Sequence, residues 1–490
     1  MKKNTFKFFI LTQALLMLTC LMEVKAQTIE EYKKQQEIEK RKFAQHRADG
    51  IKKMDDEFKA FLKKEWTKYK LFNNEKRQIL PKPKTTPVFK NSENEKPSQI
   101  VVETPPLTEP VPETPDANIT TAKPAPDNMT NKSISFDFYG AEINLKYDAA
   151  FITPFPKNVN EKTIANRWGK ISNTYYGGIL NQLTSLKNSM SLNDWAYYLL
   201  IKELSGKMSY DRNTRVFAEW FLLTKSKYKV RLAYFNSKLF LLLPSMNNIY
   251  EVPYFTFDDL KYYLVNGNEA NIYTYKQDYP DAIKIMNLNI YKPILTKNLT
   301  MTKKVNFSFN NQQHSISINY NKNTINLYRD YPSADYKVYF DASVGLQTKE
   351  SLTDELTPLL KDKSEKDAVS LLLKFVQTAF VYKTDDEQFG KEKMFFADEM
   401  FYYPASDCED RAVLFSYLVR ELMGLKVVGV RYPNHMATAV KFNNDVAGNF
   451  VHFNNEKYVI CDPTYINAPI GSIMPEFINK KAVIIELKNP

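Results

Sequence analysis

The chemistry in this chain concentrates in one short run. Ser406-Asp407-Cys408-Glu409-Asp410-Arg411 leads into an apolar stretch, Ala412 to Met423, that closes on Gly424. A capping residue, acids in the first turn and a terminal glycine are the signals of a helix, with Cys408 at its N-terminus. Free backbone N–H groups and the helix dipole favour a thiolate there, and a thiolate is the nucleophilic form of cysteine. Asp407, Glu409 and Asp410 oppose it, so a cationic partner is required. His435 supplies one: Lys426 to Tyr432 reads as a strand, Pro433-Asn434 as a break, and His435 to Val440 as the next strand. Phe450 to Phe453 and Lys457 to Asp462 then form a hairpin about Asn454-Asn455. His435 opens one strand and Asp462 closes another, so both can reach the end of the sheet that faces Cys408. A cysteine, a histidine that takes its proton and a carboxylate that orients the ring are the parts of an acyl-transfer site.

Asp407-Cys408-Glu409-Asp410-Arg411, Asn434-His435 at a strand start, and Tyr458-Val459-Ile460-Cys461-Asp462-Pro463-Thr464 resemble, in order, the three motifs of the bacterial transglutaminase-like superfamily. The likeness spans about residues 360 to 475, a quarter of the chain. It implies a papain-like domain over residues 351–490, with the nucleophile on a helix packed against a sheet carrying His and Asp. It also implies a protein or peptide substrate and reaction at an amide, with hydrolysis favoured over transfer to an amine. The family commonly has a small residue where this chain has Asp407, and an upstream aromatic or amide side chain that helps bind the oxyanion. Tyr402, Tyr403 and Gln388 are the candidates for that role.

The same residues admit other readings. Cys461, one residue before Asp462, should point to the opposite face as a packing residue, and a Cys408–Cys461 disulfide would silence the site. His46, His314 and His452 have no partner pattern. No cysteine and histidine spacing suggests zinc and no acidic loop suggests calcium, so neither metal nor cofactor is expected. The rival function is a non-catalytic cell-envelope binding or assembly protein with a vestigial triad.

The elements that must position these groups lie in an α+β chain of 490 residues, long enough for several folded units. Residues 1–26 read as a signal peptide: Lys2, Lys3 and Lys7, an apolar run from Phe8 to Met22, and Val24-Lys25-Ala26 before the cleavage point. Export to the periplasm or medium is expected, a lipid anchor on Cys20 being the weaker alternative, with no membrane span once the signal is removed. The net charge of +11 falls to +8 without the signal, and its excess lies in mixed-sign helical sequence, so nucleic acid is not an expected partner. Residues 27–72 read as a charged amphipathic helix with a stripe of Ile51, Met54, Phe58, Phe61, Leu62, Trp66 and Tyr69, a face that could dock on the body, pair with another helix in self-association, or meet an envelope partner or membrane surface. Residues 73–131, rich in Pro and Thr, read as an extended tether. Residues 132–350 read as a β-rich module, a small antiparallel sandwich or barrel, with strands that include Ile325 to Tyr328.

Inside that module, residues about 190–256 echo the C-terminal motifs. Asp211-Arg212-Asn213-Thr214-Arg215 stands against Asp407-Cys408-Glu409-Asp410-Arg411, and Lys229 to Tyr234 against Lys426 to Tyr432. Arg212 occupies the cysteine position, so this copy would be chemically silent.

Overall fold

The computed structural model describes residues 2–70, 75, 82–90, 97–103 and 131–488, with side chains from residue 30 onward. The chain is α+β, 39% helical and 26% strand. Helix α1, Lys2–Leu62, is exposed over residues 30–42 and docks by its C-terminal end. Phe58 sets its ring edge-on against Trp168 at 4.9 Å and Tyr279 at 5.4 Å, and the buried Asp55 carboxylate pairs with Lys225. The helix is shorter than its apolar stripe suggests. Trp66 lies beyond its end, and Tyr69 belongs to a strand, Thr67–Lys70, that pairs antiparallel with Asn271–Thr274. Those four residues offer Thr and Tyr to an edge strand with unpaired backbone groups, which outcompetes another helical turn.

Part of the Pro-rich tether is also folded. Phe89 donates its N–H to Ile466 O at 2.9 Å, Ile466 donates to Pro87 O at 2.9 Å, and Ile100 donates to Phe450 O at 2.9 Å. Low apolar content argues for a free tether, yet Ile100 is buried in the C-terminal core and Phe89 packs on Tyr465. Residues 104–130, including most of the prolines, lie outside the described residues.

The middle of the chain is not a sandwich or barrel. It holds two separate hairpins, Asn131–Phe138 with Ala141–Asp148 and Thr300–Phe309 with Gln312–Asn321, each laid on helices rather than on the other. The second turns through Asn310 and Asn311, both left-handed at φ 50° and 64°, a conformation asparagine tolerates. The expected strand at Ile325–Tyr328 is instead helical, within Lys322–Arg329. Asn321 caps that helix by accepting from the Asn323 N–H, and Ile325, Leu327 and Tyr328 are buried by it.

Two units share one design. In the first, helix Arg212–Lys225 precedes strands Arg231–Phe235, Lys238–Pro244, Tyr254–Phe257, Leu260–Leu264 and Asn271–Thr274. In the second, strand β1 (Val102–Glu103) comes from the tether, and α2 (Glu365–Thr378) and α3 (Cys408–Met423) precede β2 (Val427–Tyr432), β3 (His435–Val440), β4 (Phe450–Phe453), β5 (Glu456–Cys461) and β6 (Ala482–Glu486). The second sheet runs β4-β5-β3-β2-β6-β1. Numbering each unit's own strands from its helix, both sheets have the order three, four, two, one, five, antiparallel throughout. In both, a segment from earlier in the chain adds a sixth strand beside the fifth. The shared unit extends to Thr274, past the residue 256 expected from sequence.

Replacing Phe58 by Ala removes the aromatic anchor of α1 and should cost about 3–5 kcal/mol. The expected result is a lower thermal midpoint together with faster trypsin cleavage at Lys52, Lys53 and Lys59. An unchanged cleavage pattern would show that α1 is held by other contacts.

Candidate active site

Helix α3 begins where the sequence places it. Asp407 is the cap residue, and Asp410 reaches back so that its Oδ2 accepts from the Asp407 N–H at 3.1 Å while its Oδ1 accepts from Phe395 N–H at 2.8 Å. Cys408 is therefore the first residue of the helix, and it is fully buried. Its thiol donates to Glu409 Oε2 at 2.9 Å. Burial, then the charges of Glu409 and Asp407, push this thiol well above its ordinary range.

On the facing sheet, β2 and β3 are joined through Pro433-Asn434 with Tyr432 opposite His435. The His435 ring stacks on Phe477 at 5.3 Å, and its Nε2 meets Asp462 Oδ2 at 2.8 Å. Asp462 follows β5 directly, and its other oxygen, Oδ1, accepts the N–H groups of Thr464 at 2.9 Å and Tyr465 at 3.1 Å. Both carboxylate oxygens are thus committed, one to the ring and one to the turn. With Nε2 engaged by Asp462, Nδ1 is the nitrogen left to serve a sulfur. The structure brings His435 and Asp462 together. Among the described residues no hydrogen bond joins Cys408 to His435; the thiol donates to Glu409.

Two buried side chains that the sequence reading passed over tie the cysteine helix to the aspartate turn. Gln377, on α2, donates through Nε2 to the carbonyls of Asp462 (3.1 Å), Tyr465 (2.8 Å) and Ala468 (3.1 Å). Arg411, on the first turn of α3, donates to the carbonyls of Gln377 at 3.1 Å and Phe380 at 2.8 Å. A glutamine directly after the largely apolar run Leu371 to Val376 was the available signal.

The proposed oxyanion donors fall apart as a group. Tyr402 lies under the Lys322 ammonium, 3.4 Å from its ring centre, and Tyr403 stacks on Phe395 at 4.7 Å. Gln388 donates to Ala405 O at 3.3 Å. The aromatic group that feels the thiol is Tyr382. Burial raises its hydroxyl above the usual phenol range, and a thiolate at Cys408 or a carboxylate at Asp407 raises it further. Cys461 is a free thiol in the same apolar cluster as Cys408, and neither is in a disulfide.

The least anticipated group is Lys82, from the tether. Its ammonium contacts Asp407 Oδ2 at 2.6 Å, Glu409 Oε2 at 2.8 Å and Glu392 Oε1 at 3.1 Å. Burial would discharge this lysine, but Glu409, Asp407 and Cys408 hold its pKa well above normal. Burial likewise favours the acid form of Glu409, but the Lys82 ammonium and the thiol donor pull it down to about 2. Asp407 moves the other way, raised by burial and by Glu409 and Asp410. Donor atoms of Asp407, Cys408 and Glu409 lie within 4.8 Å of one another, a spacing that could hold a metal ion; the cation there is the Lys82 ammonium.

No family model, curated protein or solved structure matches the chain.

Gln377→Leu would leave three buried carbonyls without their common donor and should destabilise the chain by about 2–4 kcal/mol. Thermal unfolding should show that loss in full, and a midpoint within a degree or so of wild type would mean that the Asp462 turn holds itself.

Proposed function

We propose that this chain is an exported cysteine enzyme of transglutaminase-like type that acts on amide bonds in protein or peptide substrates, hydrolysing them in preference to cross-linking. The observation that carries the reading is the His435–Asp462 pair, with Nε2 and both carboxylate oxygens committed, on the sheet that packs against the helix begun by Cys408. Its mechanism follows from the residues. His435 Nδ1 takes the thiol proton, and Cys408 Sγ adds to the substrate carbonyl to give a tetrahedral oxyanion. The imidazolium returns that proton to the leaving nitrogen as the C–N bond breaks, which leaves a thioester. Water, deprotonated by His435, then adds to the thioester, and the acid departs as Cys408 regains its proton. Asp462 holds the ring and balances its charge without taking a proton.

The N-terminal unit supports the convergence of these three positions. There Arg212 opens the helix, Lys238 opens the second strand and Val265 follows the fourth strand, in place of Cys408, His435 and Asp462. Arg212 donates to Leu239 O and, at 2.9 Å, to Asn266 O, so the helix start does meet both strand ends in that unit. We read this unit as a duplicated copy that kept the frame and lost the chemistry. Export rests on the basic and apolar character of residues 1–26. Among the described residues no helix is long and apolar enough to cross a membrane.

The arrangement described is latent, with the thiol proton on the Glu409 side. Iodoacetamide labelling of Cys408 between about pH 5 and 9 tests the reading. In the wild type labelling should be slow and should climb with pH, since the raised thiol ionises only on the alkaline side. Glu409→Gln removes the negative charge beside the sulfur and leaves only a neutral amide acceptor, and labelling at neutral pH should rise roughly tenfold or more. Adding His435→Ala should cancel that gain. Labelling of the Glu409→Gln variant that ignores His435 would make Cys408 a structural thiol and favour the binding-protein reading.

A further inference from the structure

The Lys82 contacts have the form of a ligand in a pocket. An ammonium has three donors, and those of Lys82 meet one carboxylate each on Glu392, Asp407 and Glu409. These acids come from three places: the loop before α3, its cap, and its first turn. One residue along, the Pro83 carbonyl accepts from the Tyr382 hydroxyl at 2.9 Å. A side chain and a backbone carbonyl are thus held together beside the thiol, as in a bound peptide. A second, independent feature points the same way. Asp407 is 1% exposed, yet its Oδ1 has no hydrogen-bond partner among the described residues. A buried carboxylate oxygen left open in a ring of acids is an acceptor with room for a further donor.

We propose that Glu392, Asp407, Glu409 and Tyr382 form the subsite for a protonated lysine of a peptide substrate, next to the bond that Cys408 attacks, with Lys82-Pro83 as the resident occupant that substrate displaces. This deepens the reading of the chain as a cysteine enzyme and rests on it. The lysine is recognised as a cation and is not the acyl acceptor, since an ammonium ringed by carboxylates has no lone pair to give. Arginine is discriminated against by size, because the three acids close on one nitrogen. The tether delivers Lys82 from a segment whose next anchor is Pro87, where its carbonyl accepts from Ile466 N–H, so the occupant can leave without unfolding the core. Substrate peptides compete with an intramolecular ligand and must be abundant or extended enough to win.

The test is equilibrium binding and does not depend on turnover. Calorimetry would compare Nα-acetyl-lysine methylamide with its norleucine counterpart on the full exported chain carrying Lys82→Gln. Saturable binding of the lysine probe, with the norleucine probe weaker by roughly tenfold or more, is expected for a charged hydrogen-bonded site. Combining Lys82→Gln with Glu409→Gln should abolish the difference. Equal binding of the two probes, or none, overturns the proposal. Should Lys82→Gln fail to fold, acetylation of the wild-type chain decides instead. Lys82 should react far more slowly than Lys84, and Glu409→Gln should erase that protection, whereas equal rates for Lys82 and Lys84 in wild type overturn the proposal. A reactive Cys408 with no lysine preference would remove the subsite and leave the enzyme; lysine binding beside an inert Cys408 would do the reverse.

Discussion

Arg411 is the constraint around which the C-terminal unit is built. A guanidinium cannot be deprotonated in practice and is costly to bury, yet this one is 1% exposed. Burial pulls its pKa down to about 10, against Tyr382 and the acids of α3, so it remains a cation. Its position is tolerable only if surrounding carbonyls converge on it, and those of Gln377 and Phe380 do. Those carbonyls end α2, and the same Gln377 reaches on to the carbonyls of the Asp462 turn. The cysteine helix and the aspartate turn are therefore linked by a chain of buried hydrogen bonds in which each member satisfies the next. Such networks are rigid when complete and damaging when broken.

The N-terminal unit shows what the same frame does without this chemistry. Asp211 precedes its helix as Asp407 precedes α3, but the first helical residue is Arg212. Its guanidinium lies over Phe240 at 4.9 Å and spends its donors on Leu239 and Asn266 carbonyls. An arginine there supplies by hydrogen bonds the tie between helix start and strand ends, so this unit holds that corner together without a cysteine. In the C-terminal unit Cys408 occupies that corner, and the buried cation stands one turn along the helix, at Arg411.

Local signals made the helix start legible in the sequence: a capping Asp407, the acids behind it, and Gly424 at φ 63° to end the helix. Alternating apolar residues likewise marked β2 to β5, and the hairpin asparagines marked their turns. What failed was decided at a distance. Tyr69 and Ile100 were placed by the unpaired edges of sheets formed elsewhere, and Ile325 to Tyr328 by a cap on Asn321 that outweighed β propensity. Tyr382 was invisible as a neighbour of Cys408 because a short parallel pairing with Ala405–Ser406 carries it there. Lys82 is 325 residues from Asp407, and no periodicity encodes such a contact.

Lys82 also explains how so acidic a corner can fold. Asp385, Asp407, Glu409 and Asp410 are all buried. Burial pushes Asp385 up to about 7 against the pull of Lys82, and Asp407 and Asp410 are raised further by the company of neighbouring acids. One ammonium cannot neutralise four carboxylates, so the rest hold protons or backbone donors, as Asp410 does with two N–H groups. A thiolate at Cys408 would add another negative charge to this group, which is why the thiol keeps its proton while Glu409 is there to accept it. The acids gathered at the helix start are thus the same acids that keep the Cys408 thiol protonated, and a change in the cation among them changes the state of the thiol as well.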